Sequence, residues 1–430
     1  MVSPTGDFAI VNATVATLAQ LSARAGGAAT EGDLGIIPKA AIVARAGRIA
    51  AFGSHADCRV ALAEARRNGT PDFVEYDAGG SLVLPGLIDA HTHALFAGDR
   101  VADFEAIAAG EKPTLGIRYT VEQTRRCSED ELVEVGKRRL ALMADHGTTT
   151  AEVKSGYALT APGESTMLRA MRVLDAQAGL PHVVATFCGA HALPPEFDDY
   201  EAFVDELCAT ILPAVAELGI ARYADAFCEV GHFSVAQSRR FLQACAARGM
   251  RLRLHADELQ HSGGSILAAE LRCASADHLN FADAGDVARL AGAHCAAVLC
   301  PATTEYLGLP RYAPARDLID AGVPVSLATD FNPGTSTCFS LQTVAHLARR
   351  RLHMTAPETV AALTVNPALS LGVAAEAGSI ELGKRADLVV LASSDYREFG
   401  YYYGVNLVTL VTIGRPTTLF EIGDGAPRVF

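Results

Sequence analysis

Between about residues 86 and 372 one rhythm repeats along the chain: a short apolar, β-branched run ending in a polar cluster, then a longer stretch with helical spacing. The runs are GLIDAHTH, GTTTAEVKSGY, HVVATFCGAH, ADAFCEVGH, RLRLHADE, SADHL, AAVLCPATT and VPVSLATDFNPG. Amphipathic stretches such as SEDELVEVGKRRLALMADHG and DAGDVARLAGAHC lie between them, and Ser128 with Glu131 three residues on has the spacing of a capping box. Strands alternating with helices predict βαβ units and a parallel sheet. Eight such units predict a (β/α)8 TIM-type barrel over residues 86–372. A doubly wound open sheet competes, but no G-x-G-x-x-G follows an early strand.

Residues 1–85 have a different pattern. FAIVNATVATLA, AAIVARAGRIAAFGS and FVEYDAGGSLVLP predict short strands with glycine and asparagine turns and few helical patterns. ADLVVLAS and LVTLVTIGRPTTLFEIG repeat this pattern near the other end, so residues 1–85 and 373–430 are expected to form one small, β-sandwich-like domain.

The formal charge of −13 argues against nucleic acid or an anionic membrane as partner, since both call for basic patches. It leaves room for a small anionic substrate held by one local arginine. No run approaches the roughly 18 apolar residues of a membrane span. The first twenty residues lack a basic n-region, so no signal peptide is expected. Ten cysteines with no C-x-x-C pair suit reduced thiols in the cytoplasm.

His91 and His93 close the first run. Alternate residues of a strand share a face, so both imidazoles can grip one ion. His255 ends the fifth run and Asp330 the eighth, and a closed barrel delivers all four to one mouth. Three imidazoles and a carboxylate suit zinc, with iron second. Such an ion brings its water near neutral pKa, and Asp330 can bind the ion, take a proton from the water, or do both. Glu258 and His278 reach the same mouth, where ring-opening hydrolysis needs a proton carried from water to a leaving nitrogen. Asp257 and Asp277 are expected to orient imidazoles or cap helices. Arg100, on the loop after the first run, has two readings, a clamp for a substrate carboxylate and a plain surface arginine, while Tyr157, His191 and Asn332 can each hydrogen-bond a polar ring. Lys154 has two readings, the favoured one a buried ion-pair partner and the other a carbamylated ligand bridging to a second metal.

PGLIDAHTHALFAGDR, GTTTAEVKSGYAL, GAHALPPEF, HADELQHSGG, SADHL and ATDFNPGTS together resemble the imidazolonepropionase family of the amidohydrolase superfamily, over most of the chain. The resemblance implies hydrolysis of 4-imidazolone-5-propanoate to N-formimino-L-glutamate in histidine degradation, with one zinc or iron ion. It implies His91, His93, His255 and Asp330 as ligands, and Arg100, Tyr157, His191, Glu258, Asn332, Gly334 and Thr335 as substrate contacts. Glu258 and His278 correspond to the residues that activate water and shuttle protons. The family habit is a homodimer.

One interval departs from the family pattern. Where relatives carry a tyrosine and a GGGI segment, this chain has the shorter VADFEAIAAGEKPTLGIRYTVEQTR, with Pro113 near the tyrosine position and only Gly116-Ile117 left of the glycine run. Tyr119 is a candidate substitute. Loops at this face of a barrel set specificity, so a modified imidazolone, hydantoin or thiohydantoin with the same propionate arm is an alternative substrate. A deaminase releasing ammonia and a catalytically silent scaffold are the rival classes; the retained Glu258 and His278 weigh against the scaffold.

Overall fold

The computed structural model describes residues 6–24, 26–68, 73–414 and 418–421. Eight parallel strands form the barrel: β1 (Leu87–Thr92), β2 (Thr148–Lys154), β3 (His182–Ala190), β4 (Tyr223–Cys228), β5 (Arg251–Ala256), β6 (Ser275–His278), β7 (Ala296–Leu299) and β8 (Val325–Leu327). Each expected run holds one of them. β1 to β8 pair in chain order. The segment after β8 closes the ring, because the Asp330 N–H donates to His91 O at 3.0 Å and the His93 N–H to Phe331 O at 2.9 Å. Asp89 reinforces that seam, accepting from the Thr329 N–H at 3.1 Å and its hydroxyl at 2.6 Å.

Strand alternation sorts side chains between two environments. In β5, Leu252 and Leu254 join the helix-facing core while Arg253 and His255 enter the polar interior; in β2, Ala151 and Val153 separate from Glu152 and Lys154 in the same way. The helices are started by local chemistry. Ser128 and Glu131 form the expected capping box on Glu129–Asp145, and Ser234 with Gln237 caps Val235–Ala246.

The termini build a separate eight-stranded sheet, ordered Thr418–Glu421, Val408–Ile413, Leu388–Leu391, Leu82–Pro85, Phe8–Ala16, Ile36–Arg45 and Arg48–Ser54, with Val74–Asp77 also paired to Phe8–Ala16. Phe8 and Ile10 pack with Ile42, Leu388 and Leu410 on one face, and Ala9 and Val11 with Cys58, Leu62 and Ala65 on the other. Those last three lie on a helix, His55–Asn68, absent from the expected elements. HADCRVALAEARRN has a weak apolar stripe, of which Cys58, Leu62 and Ala65 are buried. The rest of the expected C-terminal strand run, 415–417 and beyond 421, lies outside the described residues. Among the described residues no helix is long and apolar enough to cross a membrane.

Candidate active site

The C-terminal ends of the strands bring His91 from β1, His93 from just past it, His255 from β5, His278 from β6 and Asp330 from beyond β8 into one buried cluster. His93 Nε2 lies 3.3 Å from His255 Nε2 and 3.6 Å from Asp330 Oδ1, and His91 Nε2 lies 3.4 Å from the same oxygen. A tetrahedron with metal–ligand bonds of about 2.0–2.1 Å has edges of about 3.3–3.4 Å, so these spacings fit one ion. His91 Nε2 is buried and has no hydrogen-bond partner, which is costly unless a cation uses its lone pair. Burial, then the charge of Lys154, keeps His91 well below the usual imidazole range; burial, then His191, does so for His93. Both are therefore neutral donors. No thiolate is needed by this set.

Carboxylates behind the ligands fix their orientation. Asp277 Oδ2 meets His91 Nδ1 at 2.7 Å, and Asp225 Oδ1 meets His255 Nδ1 at 3.1 Å. Burial opposes charge on His255, but Asp225 outweighs it and holds this imidazole up. Lys154 ties the two carboxylates together, at 2.5 Å from Asp225 and 3.7 Å from Asp277, with Glu152 at 3.0 Å; it is a buried ion-pair partner. Arg253 completes the network, 3.3 Å from Asp277. Sequence reasoning passed over Asp225, Glu152 and Arg253. Their signal is a charged residue at alternate positions of an otherwise apolar run, in TAEVK, ADAFC and RLRLH.

Of the two neighbours in His-Ala-Asp-Glu, Asp257 caps Gly264–Glu270, accepting from the N–H groups of Ser262 at 2.7 Å, Gly263 at 2.9 Å and Ser265 at 2.9 Å. Glu258 instead lines the cavity, its Oε2 3.7 Å from His278 Nε2. Burial, with Asp330 adding to it, pushes the Glu258 carboxyl up to about 8. Asp330 is raised to about 6 by burial, which the hydrogen bond from Thr303 at 2.7 Å only partly offsets. Burial, then His255, holds His278 well below the imidazole range. Asp257, His278, Leu279 and Asp330 have φ of 51°, 74°, 61° and 49°, a left-handed backbone that non-glycine residues adopt at a cost.

A cavity of about 300 Å³ opens over this cluster, and every expected substrate contact lines it: Arg100, Tyr157, His191, Glu258, Asn332, Gly334 and Thr335. His191 stacks on His93 with ring centroids 4.7 Å apart and bonds Gly156 O through Nδ1 at 3.0 Å, leaving Nε2 for a ligand. Burial lowers it to about 3, so it is neutral. The loop bearing Tyr157 hangs on buried Glu164, which accepts from Gly156, Ala158 and Leu159 N–H groups. Asn332 spends its amide on its own turn, accepting from the Gly334 N–H at 2.8 Å and the Thr335 N–H at 2.7 Å while donating to Asp330 O at 2.7 Å. Ile117 lines the cavity, whereas Tyr119 does not; a Cβ on Gly98 would lie 3.2 Å from its ring.

A fold of this kind with this cluster at its mouth is that of a metal-dependent hydrolase, and the chain belongs to the amidohydrolase family, whose model matches residues 82–416. Its relatives narrow the class to the imidazolonepropionases. It is 43% identical to the imidazolonepropionase of Symbiobacterium thermophilum over 391 residues, 88% of this chain and 90% of that one. It is also 43% identical to that of Solibacter usitatus over 379 residues, 86% and 89% of the two chains. Among solved structures the fold matches a zinc-bound adenosine deaminase of Xanthomonas campestris, with TM-score 0.69, 18% identity and 97% and 93% of the chains covered. It also matches the guanine deaminase of E. coli, with TM-score 0.64, 16% identity and 97% and 98% covered.

Proposed function

We propose that this protein opens the ring of 4-imidazolone-5-propanoate by hydrolysis, giving N-formimino-L-glutamate in histidine degradation. The observation that supports this most is one cavity lined by His93, His255 and Asp330 of the one-ion donor set, with buried His91 behind them, together with the Glu258–His278 pair and Arg100.

His91, His93, His255 and Asp330 would hold the ion, zinc first and iron second; when bound, it supplies a polarised water with a pKa near neutrality. Arg100 binds the propionate arm through its guanidinium fork. Glu258, near 8 by burial before any cation is counted, receives the water proton as the water oxygen bonds to the ring carbonyl carbon, and releases it to the ring nitrogen as the C–N bond breaks. His278 lies beside Glu258, shuttles protons with it and hydrogen-bonds the exocyclic carbonyl oxygen of the ring. Tyr157, His191, Asn332, Gly334 and Thr335 form the remaining walls. The reading includes a homodimer in the cytoplasm, with residues 1–85 and 373–430 as one domain and 86–372 as the other.

Turnover of imidazolone-, hydantoin- and thiohydantoin-propanoates, with metal analysis of the same sample, tests the proposal. Formiminoglutamate without ammonia is the expected product. Ammonia release would assign a deaminase instead, and exclusive turnover of a hydantoin would replace the substrate. Light scattering tests the dimer.

A further inference from the structure

Arg100 lines two cavities. One is the active-site cavity; the other, of about 310 Å³, lies against Phe96, Phe104, Tyr306 and Phe331, aromatic faces that attract a guanidinium. A carboxylate one turn further along the chain holds the guanidinium. Asp103, 3% exposed, accepts Arg100 Nε at 2.7 Å through Oδ2. The same carboxylate accepts the N–H groups of Thr114 at 2.9 Å, Leu115 at 2.8 Å and Gly116 at 3.0 Å, so it is itself fixed by the segment that leads to Ile117 in the cavity wall. Arg100 Nε is engaged by Asp103, no acceptor among the described residues meets either Nη group, and both remain for a bidentate partner. On the opposite side, a Cβ on Gly334 would fall on Arg100 Nη1 and 3.0 Å from Cζ, so this position must be bare for the guanidinium to lie where it does.

We propose that Asp103 is a positioning residue for substrate recognition: by bridging Arg100 to the 114–116 segment it holds the guanidinium fork toward the active-site cavity and gives the site its selectivity for a carboxylate arm. This rests on the function proposed above. Burial opposes charge on Asp103, but the Leu115 and Gly116 N–H groups and Arg100 outweigh it and hold the carboxyl at about 2, so the bridge is charged throughout the working pH range.

The test uses the metal-loaded enzyme and two probes, hydantoin-5-propanoate and its propanamide, with affinities measured by calorimetry alongside turnover of imidazolone propanoate. In Asp103→Asn the propanoate is expected to bind roughly tenfold to a hundredfold more weakly, with propanamide affinity unchanged and KM rising far more than kcat falls. Gly334→Ala, with Asp103 intact, is expected to give the same carboxylate-selective loss by displacing the guanidinium. Equal weakening of both probes in Asp103→Asn would mean a merely structural role and overturn the proposal, as would unchanged affinity for both. If unsubstituted enzyme preferred neither probe and left imidazolone propanoate intact, the functional reading would fall and this inference with it; normal turnover with an insensitive Asp103→Asn removes this inference alone.

Discussion

At the mouth of the barrel Asp330 and Glu258 are buried with few donors: Asp330 takes one hydroxyl bond, from Thr303, and Glu258 has His278 Nε2 at 3.7 Å. At the opposite end, where the terminal sheet meets the starts of β1 to β3, Asp387 is equally buried but accepts from Arg385 Nε at 2.8 Å and the Gly414 N–H at 2.8 Å, with His182 Nε2 at 3.6 Å. Burial acts on all three. It wins at the mouth, where the carboxyls rise to about 6 and about 8; at the base Arg385 and His182 outweigh it and hold Asp387 at about 2. Thus donors, more than depth, set the state of a buried carboxyl. The barrel saturates its base for stability and leaves its mouth short of hydrogen-bond donors and positive charge, which a substrate and a cation can supply.

The largest expected effect comes from removing the group with fewest donors. Glu258→Gln should lower kcat by about 10²–10⁴ while metal content stays full, checked by steady-state kinetics with elemental analysis. Loss of metal instead would place Glu258 among the ligands. A smaller effect is expected one layer down, where Asp277 bridges the two regimes: it is saturated by Ser275 at 2.5 Å and Arg253 at 3.3 Å, yet it holds His91. Asp277→Asn should weaken metal binding by about 10–100-fold, and excess metal should restore most of kcat. Failure to restore it would show that Asp277 acts on the reaction itself.

The mouth was far more legible in the sequence than the base. Alternation placed His91 and His93 on one face, and eight run ends gave the positions of His255, His278 and Asp330, because strand ends are a one-dimensional signal. Which carboxylate finds donors is not such a signal. Asp257 and Glu258 are neighbours, yet Asp257, at φ 51°, accepts from the Ser262–Ser265 amides while Glu258 lines the cavity. Asp387 and His182 are 205 positions apart, so nothing local joins them. The same holds for Lys154 between Asp225 and Asp277, whose closure depends on three strands. The helix His55–Asn68 was missed for a different reason: among its described side chains only Cys58, Leu62 and Ala65 are fully buried, and its many charged residues mask the stripe.

Asp387→Asn gives the smallest effect on turnover and the cleanest contrast. Its carboxyl is held at about 2 against an ordinary 3.8, so folding favours the ionised form. The stabilisation is therefore full above pH 3.8 and is lost as pH falls through that value toward 2; by the linkage of proton binding to folding it amounts to about 2 kcal/mol. For a chain of this size that corresponds to a shift of about 2 °C in Tm near neutral pH, measured by calorimetry. The gap between variant and unsubstituted protein should close as the pH is lowered, since protonation removes from the native chain what the substitution has already removed. Kinetics at the mouth should stay within about twofold, because Arg385, Gly414 and His182, which surround Asp387, do not line the cavity, and distant sites without shared partners act independently. A pH-independent gap would mean that Asp387 acts by shape rather than charge. A large fall in kcat would mean that base and mouth are coupled through β1, and that the separation of stability from chemistry in this barrel is incomplete.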